Sequence, residues 1–443
     1  MANKYIALNV LDTMDNKIVK SVLNEPFLIL CKNFDTEEQK TVQLNELFKK
    51  EGFFWRTTDS KWTYYIQEED IYNFSTGGKN VQVPFSGFTD NYPELVQMSN
   101  EKRLEALEES KKKLKQLELK RSKDDIEIGN VVISGTKDSI MLNKVIFDDL
   151  MKLTPEKAKE ISKSSVAETS EIVKIATNLM TDFTGGFSIF SDIVQKSNGS
   201  TINHMIRVFI MSLSFFQYYN KLINSGYAAK LRVQFESKYR DKYEKLLPKA
   251  NFNIMKLERV FRGGMTSISD LETNAIGVGF LLHDIGKQVD LEYFEGAEGY
   301  VKDRIEAHVT NGFNELLKRT VYPPVVSAIA GFHHEYYGHD SGYGPLREFI
   351  NRKYPDGHTC EYCISYSLHE VYNGEALCFF PAKLLEIVDV YDALTDPGRK
   401  YRNPCTPKEA VEFIRDHFLS DEIKVDPILF DMFELYLKDT GEL

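Results

Sequence analysis

At 443 residues the chain is too long for one ordinary core, and a soft prior of roughly 150 residues per unit points to two or three structural units. Its 55 basic and 66 acidic side chains leave a formal charge of −11. That argues against DNA or RNA as partners, because such binding rests on an excess of Lys and Arg neutralising phosphates. A small anionic ligand stays open wherever positive charge or metal is concentrated locally.

No run of about 18 or more apolar residues occurs, and the opening MANKYIALNVLDTMDNK lacks the features of a signal peptide, so the expectation is a cytoplasmic protein without a membrane span. Five cysteines, Cys31, Cys360, Cys363, Cys378 and Cys405, are odd in number and sparse for the length. Reduced thiols are expected rather than a disulfide framework.

Residues 1–95 hold short β-like runs at Phe27 to Cys31, Trp62 to Ile66 and Val81 to Phe85, one helical segment and both tryptophans, Trp55 and Trp62. A small α+β domain is expected, either a plain folded module or a sensory one. Residues 96–130 are charge-rich, and Leu104, Leu107, Leu114 and Leu117 give only a short heptad seam, which reads as a solvated linker helix. A further short β-like stretch, Ile126 to Ile133, follows the charged run. From Thr154-Pro155-Glu156 the pattern turns helical, with Thr154 as N-cap and Pro155 at the first helical position.

The chemistry-bearing residues crowd into the second half. All nine histidines (His204, His283, His308, His333, His334, His339, His358, His369 and His417) fall in the last 240 residues, and clustered imidazole is what a metal or catalytic site needs. Phe280-Leu-Leu-His283-Asp284-Ile-Gly-Lys287 places two adjacent ligand types and a lysine on an otherwise apolar helix. A carboxylate buried there costs several kcal/mol unless a cation or hydrogen-bond donors compensate it. A core histidine bonded to an aspartate would satisfy the same constraint, so the remaining candidates decide. They are His204, His308, the pair His333-His334, and Asp389, again a charge inside an apolar helical run. Five imidazoles and two carboxylates exceed the ligand set of one catalytic zinc. They suit two divalent ions about 3.5–4 Å apart, with Asp284 as the bridging group.

The ordered set His204, His283-Asp284 with Lys287, His308, His333-His334-Glu335, a loop ending in Gly342-Tyr343, and Asp389-Val-Tyr-Asp-Ala-Leu-Thr with Arg399-Lys-Tyr-Arg402 resembles the HD-GYP subgroup of the HD phosphohydrolases. The resemblance runs from about residue 160 to 435, including Glu409-Ala410 and Asp426-Pro427. It implies a mainly α protein, whose all-helical HD-type domain over 131–443 follows the small α+β N-terminal domain. It also implies iron or manganese, with zinc compatible by ligand type, and hydrolysis of cyclic di-GMP to pGpG and onward to GMP through a metal-bridging hydroxide. Lys287 would stabilise charge on the phosphoryl oxygens, with Tyr343, Arg399 and Arg402 also on the substrate. Arg399 and Arg402 read equally well as surface residues.

Three departures bear on the finer claims. The family loop has one residue fewer and a proline where Gly344 stands, which bears on substrate preference and on docking of a signalling partner through the Gly342-Tyr343 loop. Insertions are expected near 228–265 and 345–378; Lys230 to Arg262 carries ten basic and four acidic residues, as a solvated helix or a positive lid. The second holds His358-Thr-Cys360-Glu-Tyr-Cys363, a weak zinc signal. Ser200 stands where some relatives place a glutamate for a third metal, so two ions are expected. Other readings that remain are a non-hydrolysing cyclic dinucleotide receptor, a hydrolase of cyclic GMP-AMP, and a nucleotide phosphohydrolase of the wider HD superfamily. A homodimer is compatible with all of them.

Overall fold

Long amphipathic and fully apolar segments dominate after residue 95, and they fold as helices. The computed structural model describes residues 5–7, 28–33, 36, 38–43, 48–51, 54–57, 62–67, 95, 97–120, 124–181, 201–246, 255–287, 302–338, 341–347, 362–396, 403–420 and 422–443. Strands β1 (Tyr5–Ala7), β2 (Leu28–Asn33), β3 (Gln39–Gln43), β4 (Phe48–Glu51), β5 (Phe54–Thr57) and β6 (Trp62–Gln67) come first. β1, β6, β2 and β3 form an antiparallel sheet in that order, and β4 and β5 pair separately. β2 and β6 coincide with two of the expected β-like runs; the third, Val81 to Phe85, lies outside the described residues.

The main helices are α1 (Asn100–Lys120), α2 (Asp125–Leu150), α3 (Pro155–Thr181), α4 (Thr201–Asn224) and α5 (Asp270–Leu281). After them come α6 (Lys302–Arg319), α7 (Pro324–Phe332), α8 (Phe380–Thr395), α9 (Pro407–Phe418) and α10 (Pro427–Asp439). The protein is mainly helical. Among the described residues no helix is long and apolar enough to cross a membrane.

Four expectations need correction. The Ile126 to Ile133 stretch is not a strand but the first two turns of α2, started by Asp124, whose carboxylate accepts from the N–H groups of Ile126 and Glu127 at 3.0 and 3.2 Å. Ile128 and Val132, four residues apart, are buried while Ile126 is exposed, which is helical and not alternating periodicity. Residues 96–130 are not a solvated linker either. α1 packs on α2 and α3, burying Leu107, Leu114 and Leu117, and each such leucine contributes about 1.5–3 kcal/mol. Arg103, nearly free of solvent, pairs with Asp149 of α2, and Lys111 meets Glu168 of α3 at 2.6 Å.

The region 131–443 is not all-helical. Within and just beyond the expected 345–378 insertion, β7 (Tyr362–Ser365) and β8 (Ala376–Phe379) form a parallel pair, extended by an isolated bridge from Phe261 to Ile364. The basic 230–262 segment, where described, holds several ion pairs. Arg240 pairs with Glu236 and Glu244, Arg232 with Glu258, and Arg262 with Glu370 and Glu375. The fourth correction concerns His283-Asp284. α5 ends at Leu281, so the pair occupies the turn that follows it.

α8 is the axis of the site. Every residue from Phe380 to Asp392 is buried, as expected of a helix wrapped on all sides by others; α4, α7, α9 and α10 pack against it. Charges on such a helix are costly unless partnered, so Lys383, Glu386, Asp389 and Asp392, at three-residue intervals, mark where its chemistry lies.

Candidate metal centre

Five segments converge. α4 supplies His204 in its first turn. The turn after α5 supplies His283 and Asp284; it closes against α6 because Gly286 has no side chain, since a Cβ there would lie 2.1 Å from the carbonyl oxygen of His308. α6 carries His308. α7, with Pro324 in its first turn and small residues Ala328, Ala330 and Gly331 buried in its body, ends at His333 as C-cap, and His334 follows. Asp389 comes from the middle of α8. All seven residues expected as metal ligands are thereby brought together, all of them buried except the half-buried His334.

The two carboxylates link two sets of imidazoles. His308, His333 and His334 form one group that can hold a metal ion, and His204, His283 and Asp284 form a second, with ligand atoms in each within 4.8 Å of one another. Asp284 Oδ1 lies 3.0 Å from His308 Nε2 and 3.8 Å from His333 Nε2. Its Oδ2 lies 3.4 Å from His204 Nε2 and 3.5 Å from His283 Nε2. Asp389 repeats the arrangement, with Oδ1 3.0 Å from His204 Nε2 and Oδ2 3.6 Å from His334 Nε2. Each carboxylate thus turns one oxygen to each group.

Hydrogen bonding tests whether these residues fit a cation. His283 Nδ1 donates to the Phe280 carbonyl at 2.9 Å and His333 Nδ1 to the Ala330 carbonyl at 3.0 Å. That fixes the tautomer in which Nε2 bears a lone pair. Both Nε2 atoms are buried without a hydrogen-bond partner, aimed at carboxylate oxygens that are also acceptors. An unsatisfied buried polar atom costs about 1–3 kcal/mol. Lone pairs converging on one space are what a divalent ion requires.

The charge balance agrees. Burial, then neighbouring His334, His283 and His308, hold His333 neutral, well below the usual range; burial pushes His334 down to about 3. Asp284 and Asp389 stay far below the carboxylate range despite burial. Lys287 and the surrounding imidazoles outweigh it for Asp284, and the His204 hydrogen bond and nearby imidazoles do so for Asp389. Burial would lower His204, but hydrogen bonds to Asp284, Asp389 and Asp392 raise it to about 10. The carboxylates therefore call for positive charge at His204 Nε2, where a metal ion and a proton would compete.

Sequence reasoning missed the support of His204. Its Nδ1 lies 2.8 Å from Asp392 Oδ2. Asp392 receives two bonds from Arg207, Nε to Oδ1 at 2.6 Å and Nη2 to Oδ2 at 3.0 Å, and Arg207 Nη2 also meets Asp396 at 2.7 Å. All are buried. Such a carboxylate fixes the ring orientation and raises the basicity of a ligating histidine. A signal was present, since Arg207 follows His204, and Asp392 follows Asp389, by three residues in apolar surroundings.

Lys287 is ion-paired to Asp284 and keeps 18% of its side chain exposed. Tyr343 donates its N–H to the His334 carbonyl at 2.8 Å and sets its ring 4.8 Å from the His334 ring. Arg399, Arg402, Ser200, His339, His358 and Cys360 lie outside the described residues. Cys363 is buried on β7, and neither ligand group contains a cysteine. His369 and His417 stand apart, against Asn373 and Phe413.

Gly344 explains the missing proline. Its φ of +154° is closed to proline, and a Cβ there would lie 2.2 Å from Glu335 Oε1. Gly344→Pro is therefore expected to destabilise the protein by about 1–3 kcal/mol, read as a lower urea midpoint; an unchanged midpoint would contradict this account of the loop.

The chain matches no protein-family model, no curated protein and no solved structure.

Proposed function

We propose that this chain is a metal-dependent phosphodiesterase of the HD type that opens a cyclic dinucleotide, cyclic di-GMP first among them, to its linear form. The observation that carries the reading is the pair of aspartates, Asp284 and Asp389, each turning one oxygen to each of two imidazole groups. Iron or manganese suits this thiolate-free set of imidazole and carboxylate, and zinc is compatible with it. Bound divalent ions supply the positive charge that lets water act as a nucleophile near neutral pH.

The protein's own groups do the rest. His283 and His333 are sealed from solvent, whereas Lys287, His334 and Asp389 keep 18%, 12% and 10% of their side chains exposed. The phosphodiester approaches from that side, past Tyr343. The Lys287 ammonium then stands where charge develops on the phosphoryl oxygens. Hydrolysis breaks one P–O bond and consumes one water. The substrate class follows the sequence resemblance, and the absence of an excess of basic residues fits a small anion better than a polynucleotide.

Lys287→Ala is expected to retain both metal ions and to lose about 10²–10³ in kcat, the usual cost of one such donor, about 2.7–4 kcal/mol. Wild-type turnover in that variant would remove Lys287 from the reaction. The function itself is tested by incubating metal-loaded protein with cyclic di-GMP and with cyclic GMP-AMP and separating the products. pGpG followed by GMP is expected. Tight binding with intact cyclic dinucleotide would favour the receptor reading, to which the Tyr343 ring over His334 and the altered Gly344 position lend weight. Absence of both binding and hydrolysis would overturn the proposal.

A further inference from the structure

The segment after His334 has an unusual backbone. Tyr336 and Tyr337 have φ of 43° and 53°, and Gly338 follows at 78°. A left-handed conformation costs a non-glycine residue roughly 1–2 kcal/mol, and two tyrosines in succession persist only if their surroundings over-determine them.

Those surroundings are a second buried polar cluster, separate from the metal ligands. The Tyr336 N–H donates to Glu386 Oε2 at 3.2 Å. Glu386 is fully buried on α8, one turn before Asp389, and is ion-paired to Lys383. Lys383 donates to the Lys424 carbonyl at 3.0 Å and stands 3.8 Å from the centre of the Tyr337 ring, a cation–π contact. The Tyr337 hydroxyl donates to Asp426 Oδ2 at 2.7 Å, as does Tyr243, while Asp426 Oδ1 caps α10 through the Leu429 N–H at 2.8 Å. Buried ion pairs add little to stability compared with apolar residues of the same shape, so the cluster invites a role in placing what it holds.

What it holds is the Tyr336–Tyr337 pair that follows His334. We infer that Glu386 and Tyr337 are positioning residues that clamp the left-handed Tyr336–Tyr337 pair and so aim the His334 ring at the metal group it shares with His308 and His333. The inference rests on the two-metal reading above. Glu386 serves both ends, since the helix that bonds the loop also carries Asp389, the carboxylate facing His334 at 3.6 Å. Movement of the loop relative to α8 would separate the two.

The full-length protein, stripped of metal and titrated with Co²⁺, tests this through visible absorption of the bound ion. Wild type should take up two equivalents. Glu386→Leu, which removes the acceptor of the Tyr336 N–H, should bind one equivalent about 10–100-fold more weakly, as loss of a ligand's support does, with altered band intensities. Glu386→Gln keeps an acceptor and should restore the wild-type spectrum, although both variants leave Lys383 without its counter-charge. Tyr337→Phe guards against a folding failure of Glu386→Leu, because Asp426 retains Tyr243 and the Leu429 N–H; it should show the same selective weakening with an apo melting temperature close to wild type. Two equivalents bound with wild-type affinity and spectrum by both Glu386→Leu and Tyr337→Phe would overturn the inference while leaving the metal reading intact. Failure of wild type to bind Co²⁺ would instead overturn the metal reading and the inference with it.

Discussion

Asp284→Asn should lose both metal ions and all measurable hydrolysis in one step. Its two oxygens face different imidazole groups, Oδ1 toward His308 and His333 and Oδ2 toward His204 and His283. An amide offers one oxygen and turns an N–H₂ donor toward the other group, where a cation is meant to sit. It also removes the counter-charge of Lys287. A change confined to a single half-site would leave one ion behind; removal of a bridging group should not. Elemental analysis beside an activity assay checks this, and wild-type metal content in the variant would take Asp284 out of the centre.

Arg207→Ala should be the most destabilising single change near the site. The guanidinium is held between Asp392 and Asp396, with each side chain about 4–6% exposed. The two carboxylates hold its pKa above the usual arginine range despite burial. Removing it takes the guanidinium away from two buried carboxylates, and breaking a buried pair in this way costs about 3–5 kcal/mol. Denaturant unfolding of the metal-free protein measures the loss directly. Arg207→Lys should recover only part of it, because an ammonium cannot make the paired contacts of the planar fork. A loss below about 1 kcal/mol for the alanine variant would mean that water or relaxation replaces Arg207.

The ligands were legible in the sequence because each is an ionisable group where the local pattern demands an apolar one, as with Asp284 after Phe280-Leu-Leu and Asp389 after Leu384-Leu-Glu-Ile-Val. The same anomaly marks Arg207, Asp392, Lys383 and Glu386, but these complete no ligand set and so point to no site on sequence grounds. Arg207 and Asp392 meet from two different helices, and pairing across a fold does not show in a single sequence. The Ile126 to Ile133 run was misread because eight residues rich in Ile and Val fit a strand as well as a buried helix; the Asp124 cap was the deciding feature. α1 hid its packing behind low apolar content, since Arg103 and Ser110 share its buried face with the leucines. The parallel β7–β8 pair escaped because each strand is four residues long, too short to carry a period.

The most direct test of the central claim is anomalous diffraction from crystals of the manganese- or iron-loaded protein. Two peaks are expected about 3.5–4 Å apart, one bounded by His308, His333 and His334, the other by His204 and His283, with Asp284 and Asp389 spanning both. No peak within the cluster, or one peak in protein that turns over substrate, would contradict a binuclear centre.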